Sequence, residues 1–130
     1  MRAITCLIGA MLISAALPAQ AAKVDQEARL SKALVGRVPG KPVSCIPLHR
    51  IQSSQIFDRT AILYKVGTTY YVNRPASGAN FLDRDDVMVT DTRSPNLCNV
   101  DIVHLLDQGT RMQSGSVGLG EFVPYTKPKG

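Results

Sequence analysis

The sequence has few of the residues and motifs that mark common catalytic and cofactor sites. Its 130 residues include three cysteines, two histidines and no tryptophan. It contains no Cys-x-x-Cys pair, which thioredoxin-like redox chemistry and haem attachment require. It also lacks the Gly-x-Ser-x-Gly nucleophile elbow, and its glycine-rich segment 115–120 lacks the Lys-Ser/Thr ending of a phosphate-binding loop. We therefore predict no cofactor and consider the common hydrolase, redox and nucleotide-binding classes disfavoured.

Long runs of charge are missing as well. The chain carries 15 basic and 10 acidic residues, a net charge of +5, but its basic residues are scattered. Nucleic-acid binding requires a denser basic stripe with exposed aromatic residues, so we predict no nucleic-acid partner. A mildly basic domain is better suited to anionic lipid headgroups or polysaccharides. The apolar content of 45% excludes a wholly disordered chain, and the length allows one domain.

Only the first segment holds a long apolar run. Arg2 is the only charged residue before Lys23, and the stretch between them ends in Pro18 and the triplet Ala19-Gln20-Ala21. A basic start, an apolar middle and a small-x-small site are typical of a secretory signal peptide. We predict that residues 1–21 are a signal peptide and that the mature chain is periplasmic or secreted and not an integral membrane protein. The alternative is an uncleaved anchor, because the run approaches the ~20 residues that span a bilayer.

Cleavage after residue 21 would remove Cys6 and leave Cys45 and Cys98. Exported chains fold in an oxidising compartment, where two cysteines usually join. We therefore predict a disulfide between Cys45 and Cys98. The alternative is a reactive or metal-binding thiol. Cys45 and His49 have the spacing of a metal clamp on a helix, but Pro47 between them argues against a helix there.

One short helix is predicted before a region of β pattern. Residues 24–35 have the spacing of an amphipathic helix that ends at Gly36, and residues 36–42 then break regular structure. The predicted organisation is a helix and linker at 22–42, a small β domain at 43–125 and a basic tail at 126–130. The apolar face of the helix is expected to contain Val24, Ala28, Leu30, Ala33 and Leu34.

Three candidate strands, at 51–57, 60–66 and 69–73, are joined by short turns and predict a meander. Further strands are expected at 87–90 and 117–123. Segment 101–107 fits a strand or a helix, and the β-branched residues Ile102 and Val103 favour the strand. We predict a mainly β fold, a small antiparallel sheet or half-open barrel of about five or six strands with one short N-terminal helix. Its candidate core consists of Ile46, Ile51, Ile56, Ile62, Tyr64, Val72, Val87, Val89, Ile102, Leu105, Leu119 and Phe122.

Several short motifs follow one another along residues 43–124. They are Cys45-Ile46, Ile51, Ile62-Leu63, Tyr71-Val72-Asn73, Leu97-Cys98-x-x-Asp101-Ile102 and Leu119-Gly120-x-Phe122-x-Pro124. In this order they resemble a family of small exported, cysteine-containing proteins of unknown function from Gram-negative bacteria. The resemblance implies an exported, cysteine-stabilised, mostly β domain and implies no activity. Relatives carry two further cysteines where this chain has Ala79 and Val117, so these two residues are expected to be close in space.

The best candidate binding patch surrounds two adjacent tyrosines. If Tyr70 and Tyr71 both lie on a strand, one of them must face outward. An exposed tyrosine beside Arg59, Lys65 or Arg74 would bind an anionic partner. We expect the partner to be an unknown envelope protein or an anionic envelope component. The alternative is that these residues are ordinary strand composition.

A catalytic alternative rests on a histidine. His104 with Asp101 or Asp107 and a nearby serine would make a small periplasmic hydrolase. We favour a non-enzymatic binding or envelope-accessory module, and an inhibitor of a secreted enzyme is a third option. The acidic segment from Asn80 to Asp86 lacks the central glycine and terminal glutamate of a calcium loop, so no metal site is predicted.

Overall fold

A computed structural model of the chain describes residues 18–129, with side chains from residue 21 onward. The predicted signal peptide falls mostly outside the described residues, because only positions 18–21 of it are included. One helix is followed by ten strands and two short 3-10 turns. The elements are α1 (Pro18–Ala33), β1 (Val38–Pro39), β2 (Cys45–Pro47), β3 (Ile51–Phe57), β4 (Ala61–Val66), β5 (Thr69–Asn73), β6 (Asp86–Thr90), β7 (Asn96–Cys98), β8 (Ile102–Asp107), β9 (Gln113–Gly118) and β10 (Phe122–Thr126).

The strands form three antiparallel sheets. A five-stranded sheet has the order β1-β10-β5-β4-β3, a three-stranded sheet has the order β6-β8-β9, and β2 pairs with β7. The fold is mainly β with one N-terminal helix, as predicted, and within residues 18–129 the sheets do not close into a barrel. The count of five or six strands was too low. Strands as short as β1, β2 and β7 contain too few residues to show the period of two that identifies a strand in a sequence.

The predicted meander is confirmed, because β3, β4 and β5 lie within one residue of their expected bounds. The turn after β4 contains Gly67 at φ 61°, a conformation that glycine adopts without strain. Segment 101–107 forms β8, so the helix alternative is wrong. Val103 and Leu105 of β8 are fully buried while Ile102 is exposed, which is the alternation of a strand with one face on the core.

The segments at both ends of the β domain are more regular than expected. The predicted linker 36–42 contains β1, and β10 reaches Thr126, the first residue of the predicted tail. β1 pairs with the end of β10, Val38 opposite Thr126. This pairing has no local signal in the sequence, because it joins two short segments from opposite ends of the β domain.

Two hydrophobic clusters stabilise the fold. The inter-sheet cluster lies between the five-stranded and three-stranded sheets and includes Ile46, Ile56, Tyr64, Leu105 and Phe122. The helix-side cluster contains Leu30, Phe57, Ala61, Leu63 and Val72. The assignment of Val87, Val89 and Ile102 to the core is wrong, since all three are exposed on the outer face of the three-stranded sheet. Because side chains alternate along β6, Met88 packs inward in place of its two valine neighbours.

The helix docks through part of the predicted face, because Leu30 is buried and Ala33 and Leu34 pack on the helix-side cluster. Val24 and Ala28 are exposed, whereas Gln26 and Leu30, one turn apart, are buried. The side-chain oxygen of Gln26 accepts the backbone N–H of Asp58 at 3.2 Å. A glutamine is ordinarily a surface residue, so the sequence did not indicate this contact. The predicted end of the helix is confirmed, with Gly36 in the left-handed region at φ 77°.

The segment just before Ala79 lies against β9, the strand that carries Val117. Ser77 bridges Gly118, and a Cβ placed on Gly78 would lie 2.4 Å from the carbonyl oxygen of Ser116. Because Gly78 and the strand that carries Val117 are in backbone contact, larger residues cannot replace this glycine without moving one of the two segments.

Tyr64 makes the stability of the fold sensitive to high pH. Its ring lies 5.9 Å from that of Phe122, and burial raises the pKa of its hydroxyl above the ordinary value of 10.0. The unfolded chain releases this proton above pH 10 while the folded chain retains it, so the free energy of unfolding falls as the pH rises. We expect the free energy of unfolding of Tyr64→Phe to fall less steeply with pH than that of the wild type, by up to about 1.4 kcal/mol per pH unit.

Urea unfolding of the wild type and of Tyr64→Phe at pH 9, 10 and 11 would measure the effect. Tyr71→Phe, which alters a tyrosine that is only partly buried against the same cluster, is the matched control. A Tyr64→Phe variant whose stability falls with pH as steeply as that of the wild type would contradict the assignment of this pH dependence to Tyr64.

Candidate functional site

The structure divides the predicted tyrosine patch. Tyr70 and Tyr71 are successive residues of β5 and face opposite sides of the sheet. Tyr71 packs on the inter-sheet cluster and Tyr70 on the helix-side cluster. Arg74 forms a two-pronged ion pair with Glu27 of α1, at 2.7 and 3.1 Å, which lowers the pKa of the glutamate. Arg59 lies in the β3–β4 turn, at the other end of the strands from Tyr70. The four residues of the predicted patch, the two tyrosines with Arg59 and Arg74, therefore do not form one surface.

A smaller site forms around Tyr70 with a residue that the sequence did not single out for binding. The guanidinium carbon of Arg37 lies 3.7 Å from the centre of the Tyr70 ring, a stacked cation–π arrangement. Nη1 of Arg37 donates to the carbonyl oxygens of Thr68, at 2.6 Å, and Tyr125, at 3.3 Å. These contacts hold the guanidinium between the β4–β5 turn and β10, so its position is fixed by three partners.

Three lysines surround this arginine. Lys65 of β4 is directly opposite Tyr70, and Lys127 and Lys129 follow β10. Together with Arg37 they line a cavity of about 700 Å³, which we call the basic groove. None of the residues that line the basic groove is acidic. Its lining comprises Arg37, Lys65, Gly67, Thr68, Tyr70, Thr126, Lys127, Pro128 and Lys129.

The chemistry of the basic groove is that of an oxyanion site. Arg37 uses Nη1 for the two backbone carbonyls, and a guanidinium has further N–H groups on Nε and Nη2 that match a carboxylate or a phosphate. A donor that is already held in place loses little conformational freedom when a ligand binds. Its volume also lies within the range of small-molecule sites, ~300–1,000 Å³.

The sequence pattern indicated Tyr70 and Lys65 but not the other cations of the basic groove. Arg37 lies in the segment expected to be an irregular linker, and Lys127 and Lys129 lie in the segment expected to be a loose tail. The basic composition of that tail was the one available signal. The pairing of β1 with β10, which brings the three residues together, has no local pattern that predicts it.

The histidine and the two aspartates of the catalytic alternative each have a separate hydrogen-bond partner. Nδ1 of His104 lies 3.2 Å from the side-chain nitrogen of Gln113. Asp101 accepts the backbone N–H of Cys98 at 2.7 Å. Asp107 accepts the backbone N–H and the hydroxyl of Thr110 and the backbone N–H of Gly109, which lowers the pKa of its carboxyl. In the part of the chain that the structure describes, no hydrogen bond joins His104 to either aspartate, because both aspartates stabilise turns.

Cys45 and Cys98 form the predicted disulfide and lie directly opposite each other on β2 and β7. Among residues 18–129, no group of three or more histidine, cysteine, aspartate or glutamate residues is arranged to hold a metal ion. The described helix, α1, is not long and apolar enough to cross a membrane. Comparisons with known protein families, with curated proteins and with solved structures gave no match to this chain.

Proposed function

We propose that this protein is a non-enzymatic binding module of the bacterial cell envelope, periplasmic or secreted, that holds an anionic envelope component in the basic groove. The observation that carries the proposal is the fixed position of Arg37, stacked on Tyr70 and bonded to two backbone carbonyls, among three lysines and no carboxylate. Four cations around one cavity repel one another, so an anion bound between them relieves a cost that the free protein bears.

Two observations support export. The first 21 residues have the pattern of a signal peptide, and the chain contains a disulfide between Cys45 and Cys98. Disulfides persist in the periplasm and outside the cell and are rare in the reducing cytosol. The envelope also supplies ligands that suit the basic groove, since its phospholipid headgroups and acidic polysaccharides present phosphate and carboxylate oxygens.

Arg37→Ala is expected to weaken anion binding by about 10- to 100-fold, because a hydrogen bond to a charged partner contributes ~1.5–3 kcal/mol. Binding would be measured by calorimetry with alginate and by sedimentation with vesicles that contain phosphatidylglycerol, which separates a polysaccharide ligand from a lipid ligand. Arg37→Lys keeps the charge but loses the planar fork and the stacking, so it should recover only part of the affinity.

Arg93→Ala is the matched control, since it removes the same charge from an exposed bend between β6 and β7. It should change the affinity by less than about twofold, as expected for a surface charge screened by salt. Equal losses in the two arginine variants would mean that net charge alone attracts the anion. Absence of saturable binding to both probes would contradict the proposed function.

A further inference from the structure

A second cavity lies at the other end of the β3–β4–β5 meander from the basic groove. It has a volume of about 510 Å³ and lies between β3 and β6. We call it the seam. It is lined by four successive residues of β3 (54–57), by residues 84–88, which lead into β6 and form its first half, and by Gln26 and Arg29 of α1.

Both long sides of the seam are strand edges. β3 is the last strand of the five-stranded sheet and pairs with β4, and β6 is the first strand of the three-stranded sheet and pairs with β8. In an antiparallel ladder every second residue of a strand directs its N–H and C=O away from the strand with which it pairs. Within the described residues no strand pairs with the outer side of either edge, so both strands that line the seam keep a row of unpaired backbone donors and acceptors.

Hydrogen bonds join the two edges at one end. The backbone N–H of Arg84 donates to the carboxylate of Asp58 at 2.6 Å, and that of Arg59 donates to the carbonyl of Leu82 at 3.1 Å. Beyond these bonds β3 and β6 leave the junction without pairing to each other. The seam is therefore an unpaired gap between two strand edges, and one end of it is fixed by hydrogen bonds.

The floor and the rim of the seam differ in polarity. Ile56 and Met88 belong to the inter-sheet cluster and form an apolar floor. Arg29, Arg84 and Asp85 are exposed and form a rim with charges of both signs. A ligand that fills the seam must place apolar groups inward and polar groups outward, and it must offer backbone-like donors and acceptors at its sides. An extended peptide that alternates apolar and polar residues has these properties.

We propose that the seam binds an extended segment of a partner protein, which adds as a strand to the free edge of β3. A strand in a folded sheet is attached to its neighbouring strand, so it would have to bring that neighbour into the seam. The seam is bounded by strands on both sides. An unstructured segment therefore fits the seam better than the edge of a second folded copy does. This proposal is independent of the basic groove, which shares no lining residue with the seam.

The test uses a fluorescein-labelled heptapeptide that alternates valine with threonine and carries a lysine at each end. Backbone recognition tolerates many sequences, so this generic probe is expected to bind the full-length protein saturably in an anisotropy titration. Ser54→Trp places a large ring beside Ile56 on the inner side of β3, and Ser53→Trp places the same ring on the opposite face. We expect at least about a tenfold loss of affinity with Ser54→Trp and less than about a twofold change with Ser53→Trp.

Two further measurements separate strand addition from simple filling of an apolar cavity. A peptide N-methylated at alternate residues loses the N–H groups of one edge and should bind about tenfold more weakly. Backbone amides of β3 should also exchange more slowly with solvent when the peptide is bound. No saturable binding, binding unchanged by Ser54→Trp, or equal affinity for the N-methylated peptide would overturn the proposal. A concentration-dependent dimer that Ser54→Trp abolishes would overturn it in favour of self-association.

Discussion

Replacing Cys45 and Cys98 together with alanine is expected to lower the free energy of unfolding by about 4 kcal/mol, on the chain-entropy model of disulfide stabilisation. The bond joins positions 53 residues apart. It also joins two strands of three residues each, whose inward side chains Ile46 and Leu97 are both buried in the inter-sheet cluster. A two-stranded ribbon is at best marginally stable without such a link, so part of the core depends on it.

Urea unfolding at neutral pH would measure the loss. The wild type treated with dithiothreitol is the chemical control and should unfold at the same urea concentration as the double variant. Arg93→Ala, in the exposed bend before β7, is the mutational control and should change stability by less than about 0.5 kcal/mol. A double variant that loses less than about 1 kcal/mol would show that the ribbon is held by its buried side chains and not by the disulfide.

Asn73→Ala is expected to cost about 3 kcal/mol, because it removes a pair of reciprocal hydrogen bonds at a fully buried position. The side-chain nitrogen of Asn73 donates to the carbonyl of Gly120 at 2.7 Å, and its oxygen accepts the N–H of Gly120 at 2.9 Å. The side chain thus ties the end of β5 to the segment before β10. Alanine would leave both backbone groups of Gly120 without a partner and would leave a cavity beside them.

Asn80→Ala is the matched control, since Asn80 is exposed in the 3-10 turn 79–81. It should change the free energy of unfolding by no more than about 0.5 kcal/mol. Asn73→Asp is more severe than the alanine variant if the hydrogen bonds dominate, because it loses the donor and buries a carboxyl group. An Asn73→Ala variant as stable as Asn80→Ala would contradict this account.

The parts of the fold that the sequence predicted are those with local causes. The meander followed from three short candidate strands separated by turns at Asp58-Arg59 and Gly67-Thr68. The end of α1 followed from Gly36. The disulfide followed from the count of cysteines that remain after residue 21. Each of these features is determined by residues close together in the chain or by their number.

The parts that the sequence did not predict depend on distant partners. Gln26 is buried where its side-chain oxygen accepts the N–H of Asp58, and nothing near Gln26 in the sequence indicates this contact. Val87 and Val89 have strong strand propensity, but propensity does not say which face of β6 meets the core. The basic groove required Arg37 and Lys127 to meet across the pairing of β1 with β10. A scattered set of cations became a site only through that pairing.

β10 lies between β1 and β5, so a strand near the carboxyl end of the described chain occupies an interior position of the five-stranded sheet. Arg37 and Tyr125, which are bonded across this junction, are 88 positions apart. Contacts between such remote segments form slowly and late. While residues 122–126 are still being synthesised, β1 has no neighbour and β5 has an open edge. For a chain exported as we propose, this strand order delays folding during synthesis and keeps the polypeptide competent for passage through a membrane channel.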